Sequence, residues 1–205
     1  MTEPLFPLLR IVRLRMETDG EGVTSLIAGA GCPLACKWCI NAAVLQQPPT
    51  PVSAWELYER VKIDDLYFRA TGGGVTFGGG ESLLHAPFLK AFREVCGDAW
   101  RIYAETALHV SRALVETAAE AADGFIIDIK DMNPDIYRSY TGGEACLVRE
   151  NLRYLLDTVG SERLIVRVPL IPAFNTQTDC DESERLLRQM GITRIERFSY
   201  IKRES

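Results

Sequence analysis

Three cysteines, Cys32, Cys36 and Cys39, stand as C-x-x-x-C-x-x-C in the segment GCPLACKWCI, directly after an apolar run. Thiolates so spaced can wrap one face of a metal cluster, and soft sulfur selects iron–sulfur clusters or zinc over hard cations. The fourth ligand decides between these two. Structural zinc needs a closed tetrahedral set, yet His85 and His109 lack zinc-finger spacing, and Cys96, Cys146 and Cys180 are isolated. A four-iron cluster with only three protein ligands keeps one iron open to a substrate or cofactor, as catalytic metal sites keep a position open. The spacing points to such a cluster. A non-catalytic zinc or cluster-binding module is the competing interpretation.

Other residues have types that suit a bound ligand. Gly79, Gly80 and Glu81 follow an apolar run; paired glycines let backbone approach a ligand closely, and a carboxylate suits an ammonium group. Asp128 and Lys130 lie near the end of the run Phe125 to Ile129, where a period of two puts both on one face. Arg167 sits in an apolar run, and a buried arginine requires an anion, either a cofactor's or an internal carboxylate. The two histidines read as structural or exposed, and the three isolated cysteines as core or surface thiols.

Short β-branched runs alternate with longer amphipathic ones, which is the pattern of a β/α domain. Strands are expected at Val23 to Ala28, Val75 to Phe77, Arg101 to Ala104, Phe125 to Ile129, Leu164 to Val168 and Arg194 to Ser199. Helices are expected at Ala54 to Ile63, Ser82 to Cys96, Ser111 to Ala122, Leu147 to Asp157 and Asp181 to Met190, with a short one at Pro134 to Tyr140. Leu9 to Arg15 reads as an edge strand or a connecting arm, and the Pro-rich Gln47 to Val52 as a loop. No linker interrupts the pattern, so residues 1–205 are expected to form one domain. Each polar segment follows the C-terminal end of a strand, the edge where chemistry gathers in barrels and open α/β sheets.

Taken in order, the motifs narrow the assignment. The cysteine loop carries an aromatic residue, Trp38, before its last cysteine, and is accompanied by TDGEG (Thr18 to Gly22), GGGVTFGGGESLL (Gly72 to Leu84), ET (Glu105, Thr106), DIKDMN (Asp128 to Asn133), YTGG (Tyr140 to Gly143) and RVPLIPAFN (Arg167 to Asn175). From about Asp19 to Tyr200 the sequence resembles the radical S-adenosylmethionine (SAM) superfamily, and within it the glycyl-radical-enzyme activating enzymes, pyruvate formate-lyase activating enzyme among them. The resemblance implies an α/β fold, a partial (β/α)6 TIM-type barrel of mostly parallel strands. It implies an oxidoreductase whose 4Fe-4S cluster, held by Cys32, Cys36 and Cys39, cleaves SAM reductively to a 5'-deoxyadenosyl radical that abstracts hydrogen from a glycine of a partner enzyme. Flavodoxin or ferredoxin is the implied electron donor.

By the same resemblance, Gly79, Gly80 and Glu81 contact the methionyl amino group, and Asp128 and Lys130 hold the ribose and carboxylate. Glu105 and Thr106 form a polar or monovalent-cation site, Trp38 packs beside the adenine, and Asp19 lies near the substrate glycine; Arg167, read from its own type as above, is counted with the cofactor-binding residues. Two positions depart from the family. Ile40 stands where a histidine often follows the third cysteine, although Asn41 is retained, and Ile201 stands where relatives carry a histidine and continue further. The pocket is therefore expected to be more open, or closed by a partner. A small-molecule or peptide substrate for the same cofactor is the alternative.

Composition excludes other classes. The chain has 205 residues, 47% of them apolar, and a net charge of -5 with interspersed signs. A chain this long buries roughly 70% of its unfolded surface without disulfides. No basic stripe could track a phosphate backbone, so nucleic acid is not an expected partner. The longest uncharged stretch, Trp38 to Trp55, is broken by Pro48, Pro49 and Pro51, which rules it out as a membrane span. The N-terminal MTEPLFPLLR lacks a basic leader. The cytoplasm is thus the expected location, with reduced thiols.

Overall fold

Alternating apolar runs pair into one sheet, and the computed structural model describes residues 3–16 and 18–201 of it and its surroundings. The strands are β1 (Phe6–Met16), β2 (Val23–Gly29), β3 (Thr50–Val52), β4 (Gly74–Gly79), β5 (Arg101–Thr106), β6 (Gly124–Asp128), β7 (Leu164–Leu170) and β8 (Ile195–Ser199). Their order is β3-β1-β2-β4-β5-β6-β7-β8. Every pairing from β2 to β8 is parallel, whereas β1 runs antiparallel to both β2 and β3. The six parallel strands are those expected from the sequence.

Helices α1 (Ala42–Leu45), α2 (Ala54–Val61), α3 (Asp65–Thr71), α4 (Ala86–Cys96), α5 (Arg112–Ala121), α6 (Pro134–Thr141), α7 (Ala145–Val159) and α8 (Gln177–Met190) fill the connections. Three segments differ from expectation. The Pro-rich loop contains β3, with Pro51 opposite Pro7 of β1, because an edge strand tolerates a residue that cannot donate to the ladder. The helix expected over Ser82 to Cys96 starts as a 3-10 turn, Ser82–His85, and becomes α-helical with Pro87 in its first turn, where a missing N–H costs nothing. The helix expected to reach Ile63 ends at Val61, and the chain turns through Lys62–Asp64 into α3.

The side chains of the parallel strands sort by parity. Val75, Phe77, Ala104, Phe125, Ile127, Val166 and Val168 are buried in the large core. Within it, Phe77 meets Phe6 at 5.4 Å and Phe92 at 5.5 Å between ring centroids. Each such ring taken from water stabilises the fold by roughly 1.5–3 kcal/mol. The opposite parity forms a separate cluster, Tyr103, Ile126 and Ile165. Two residues further along each strand, the same face carries Glu105, Asp128 and Arg167. An apolar plug thus lies beneath a charged layer, as strand alternation dictates.

The sheet stays open, with β3 and β8 as its edge strands, yet the segment between β1 and β2 reaches across to β7 and β8. Arg194, just before β8, pairs with Glu21 at 3.4 Å, and Arg167 donates to the Thr18 carbonyl. No helix among the described residues is long and apolar enough to cross a membrane.

Candidate active site

The loop bearing Cys32, Cys36 and Cys39 emerges from the C-terminal end of β2 and rests on the end of α6. Ala35 N–H donates to the Thr141 carbonyl at 2.9 Å and Lys37 N–H to the Tyr140 carbonyl at 3.0 Å, one on each side of Cys36. Helix C-terminal carbonyls have no partners within their own helix, so they are available to fix a neighbouring loop. Gly143 leaves space here: a Cβ at this position would lie 2.7 Å from Leu34 and 2.9 Å from His109. The YTGG segment thereby serves as the bed of the cysteine loop. His109 accepts from Glu144 N–H at 3.1 Å, and His85 donates to the Ala30 carbonyl at 2.8 Å, so both histidines brace backbone.

The edge Gly79–Gly80–Glu81 lies opposite the loop. Gly79 has φ +88, and a Cβ at Gly80 would sit 2.1 Å from the Gly31 carbonyl oxygen; only glycine allows this approach. Asn41 donates to the Gly79 carbonyl at 2.8 Å, tying the edge to the residues after Cys39. The Glu81 carboxylate is buried and accepts from Thr106 Oγ1 (2.6 Å), Ala107 N–H (2.9 Å) and Leu83 N–H (3.1 Å). Burial pushes its pKa up against these three donors. Glu81 and Thr106 therefore lock the end of β4 to the end of β5.

The charged layer closes the floor. Lys130 is buried and donates to Asp128 Oδ2 at 2.9 Å and to the Tyr200 hydroxyl at 2.9 Å. Burial opposes its charge, yet Asp128 and Tyr200 keep its pKa well above the ordinary lysine value. Arg167 donates to Glu105 Oε1 at 3.1 Å and to Glu196 Oε2 at 3.3 Å, so its anions are internal carboxylates. Burial and the nearby Asp128 push the Glu105 carboxyl up to about 7. Asp19 is buried, pairs with Arg15, and is held by Thr76 donating to its carbonyl.

One cavity of about 520 Å³ is lined by Cys32, Cys36, Cys39, Trp38, Gly79, Gly80, Glu81, Glu105, Thr106, Asp128, Lys130, Arg167 and Asp19, which are all the residues singled out from the sequence. A second hollow of about 580 Å³, between Tyr58, Lys62, Arg69 and Trp100, contains none of them. Sequence reasoning missed other lining residues: Arg10 and Arg15 on β1, Glu196 and Phe198 on β8, and Tyr140 and Tyr200. Tyr140 was visible only as part of YTGG, and Arg15 only as part of a strand.

The cavity suits the cofactors implied by the motifs. Asp128 Oδ1 is buried without a hydrogen-bond partner, an acceptor ready for a ligand's donor, since an unmade bond here is costly. Burial pushes the Cys36 thiol up to about 11 and the Cys32 thiol up as well, with Lys130 opposing both; a bound metal deprotonates such thiols outright. Among the described residues no three Cys, His, Asp or Glu side chains close on a single point as a lone ion requires. The three cysteines line one cavity, a soft donor set that suits an iron–sulfur cluster or zinc.

Comparison with known proteins gives the same picture. The Radical SAM superfamily profile matches residues 26–187. The chain is 29% identical to the (2S)-3-sulfopropanediol dehydratase activating enzyme of Klebsiella oxytoca, over 90% of this chain and 78% of that protein. It is 30% identical to the pyruvate formate-lyase 2-activating enzyme of Escherichia coli, over 76% of this chain and 64% of that protein. Among solved structures, Streptococcus suis SuiB bound to S-adenosylmethionine shares the fold with a TM-score of 0.64 at 12% identity, over 83% of this chain and 39% of that one. TYW1 with a lysine-pyruvate adduct does so with a TM-score of 0.59 at 16% identity, over 87% of this chain and 65% of that one.

Proposed function

This chain belongs to the Radical SAM superfamily, and from that premise we propose that it activates a partner enzyme by abstracting hydrogen from a backbone glycine. The observation that carries the reading is one cavity lined by three thiols, a glycine edge and a buried unpaired carboxylate oxygen. When bound, a 4Fe-4S cluster and SAM supply a 5'-deoxyadenosyl radical, which is the hydrogen acceptor.

The chain's own residues have separate tasks. Cys32, Cys36 and Cys39 would hold the cluster. The carbonyl edge at Gly79 and Gly80 receives the methionyl ammonium, while the Glu81 carboxylate, with its three protein donors, keeps that edge in place. Lys130 would hold the methionyl carboxylate, and Asp128 would hold the ribose. Trp38, held edge-on to Phe174 at 5.8 Å, flanks the adenine. Arg167 keeps the Glu105 and Glu196 carboxylates paired at the mouth.

A monovalent cation would use Glu105 Oε2, since Arg167 occupies Oε1, together with the remaining lone pair of Thr106 Oγ1, whose hydrogen goes to Glu81. The substrate segment enters beside Asp19 at the mouth of the cavity. The activating enzymes among the relatives support a glycyl radical enzyme as that partner. A flavodoxin or ferredoxin delivers the electron, and a reducing cytoplasm keeps the thiols competent.

The test is to mix anaerobically reconstituted, reduced protein with SAM and candidate glycyl radical proteins. A glycyl doublet in the EPR spectrum is expected with the cognate partner. SAM cleavage without a doublet across candidates would favour a small-molecule or peptide substrate.

A further inference from the structure

The hydroxyl of Tyr200 is the second partner of Lys130. This tyrosine follows β8 and is anchored by its N–H donating to the Leu170 carbonyl at 2.9 Å. Its ring stands 6.4 Å from that of Tyr140, whose hydroxyl donates to the Trp38 carbonyl at 3.3 Å. Both tyrosines line the cavity. Four segments distant in sequence thus meet at one wall: the end of β6, the residues after β8, the end of α6 and the cysteine loop.

The arrangement at Lys130 is asymmetric. An ammonium has three N–H donors; one goes to Asp128 Oδ2 and one to Tyr200. Asp128 Oδ1 stays without a partner although the same lysine holds Oδ2. The ammonium is fixed from two sides, by Asp128 Oδ2 and by the Tyr200 hydroxyl, so its position does not depend on the carboxylate alone.

We propose that Tyr200 is a positioning residue for cofactor binding: by accepting from Lys130 it fixes the ammonium from a second side, so that the third ammonium donor is held in place for SAM. The inference rests on the SAM-dependent reading above, and it adds a residue outside the sequence motifs. Tyr140 backs the ring and links this wall to the loop that carries the cluster.

Tyr200→Phe retains the ring and removes only the hydroxyl. Variants reconstituted anaerobically are titrated with SAM, with the EPR spectrum of the reduced cluster as the readout and iron content and thermal midpoint as controls. Tyr200→Phe is expected to keep its iron and thermal midpoint but to bind SAM about tenfold more weakly, the size of a lost hydrogen bond to a charged group. Lys130→Met should weaken binding at least as much, and the double variant no further than Lys130→Met alone, because Tyr200 acts through Lys130. Wild-type affinity in Tyr200→Phe would overturn the proposal. So would losses that add in the double variant, or a loss of iron, which would place the role at the cysteine loop. If wild type itself ignores SAM, the cofactor reading fails, a result distinct from a Tyr200 variant that behaves as wild type.

Discussion

Two aspartates, Asp64 and Asp128, have cationic partners in this molecule and serve opposite ends. Asp64, wholly buried, accepts from Arg13 through both oxygens and from Ser25 Oγ at 2.9 Å, clamping β1 and β2 to the turn before α3. Asp128 lines the cavity and has Lys130 on one oxygen and nothing on the other. A carboxylate with every strong acceptor position engaged contributes to folding and has little left for a ligand. One that is half engaged keeps an unmet demand, which the fold tolerates where a ligand will meet it. Fuller hydrogen bonding, together with deeper burial, separates Asp64 from Asp128.

The largest expected effect tests the cavity side of this contrast. Cys36→Ala should lose cluster iron and reduce 5'-deoxyadenosine formation by at least about 100-fold, while unfolding in urea at the midpoint of the metal-free wild type. A lower midpoint would mean that the loop also carries structural weight. Asp64→Asn should show the reverse, with unfolding free energy reduced by about 2–3 kcal/mol as Arg13 and Ser25 lose their anion, and SAM affinity unchanged once folded. Asp128→Asn should lose less than about 1 kcal/mol of stability yet bind SAM about tenfold more weakly. If both aspartates gave the same profile, the contrast would collapse.

A smaller effect concerns pH. Burial and Asp128 raise Glu105 from an ordinary 4.5 to about 7. Between those values the folded chain retains a proton that the unfolded chain releases. This contribution to stability is fully present below the unfolded value and is lost as pH rises through the folded one. Relative to Glu105→Gln, wild type should therefore lose stability as pH increases from about 5 to about 7.5, measured as urea midpoints. Parallel curves would show that Arg167 holds the carboxylate ionised throughout.

Much of this was legible in the sequence because it is local. Strand parity put Asp128 on the face it occupies, the cysteine spacing marked the loop, and glycines marked the close approach of backbone at Gly80. What was not legible depends on distant partners. Asp64 meets residues 39 and 51 positions away, and Tyr200 meets Lys130 across 70; no periodicity encodes such pairs. Arg167 was expected to need an anion, but only the folded chain shows that Glu105 and Glu196 provide it. For Glu81, the motif suggested a ligand's ammonium, and only the folded chain shows that its carboxylate also accepts from Thr106, Leu83 and Ala107. α3 and β3 escaped notice because short elements at prolines and charged turns depend on what they pack against.

The central claim is that three cysteines leave a cluster with one iron free for SAM. The direct measurement is the EPR spectrum of the reduced, reconstituted protein before and after adding SAM labelled with 17O in its carboxylate. A spectral change with hyperfine coupling from the labelled oxygen is predicted. A fully loaded cluster that is indifferent to SAM, or one held by a fourth protein ligand, would contradict the account.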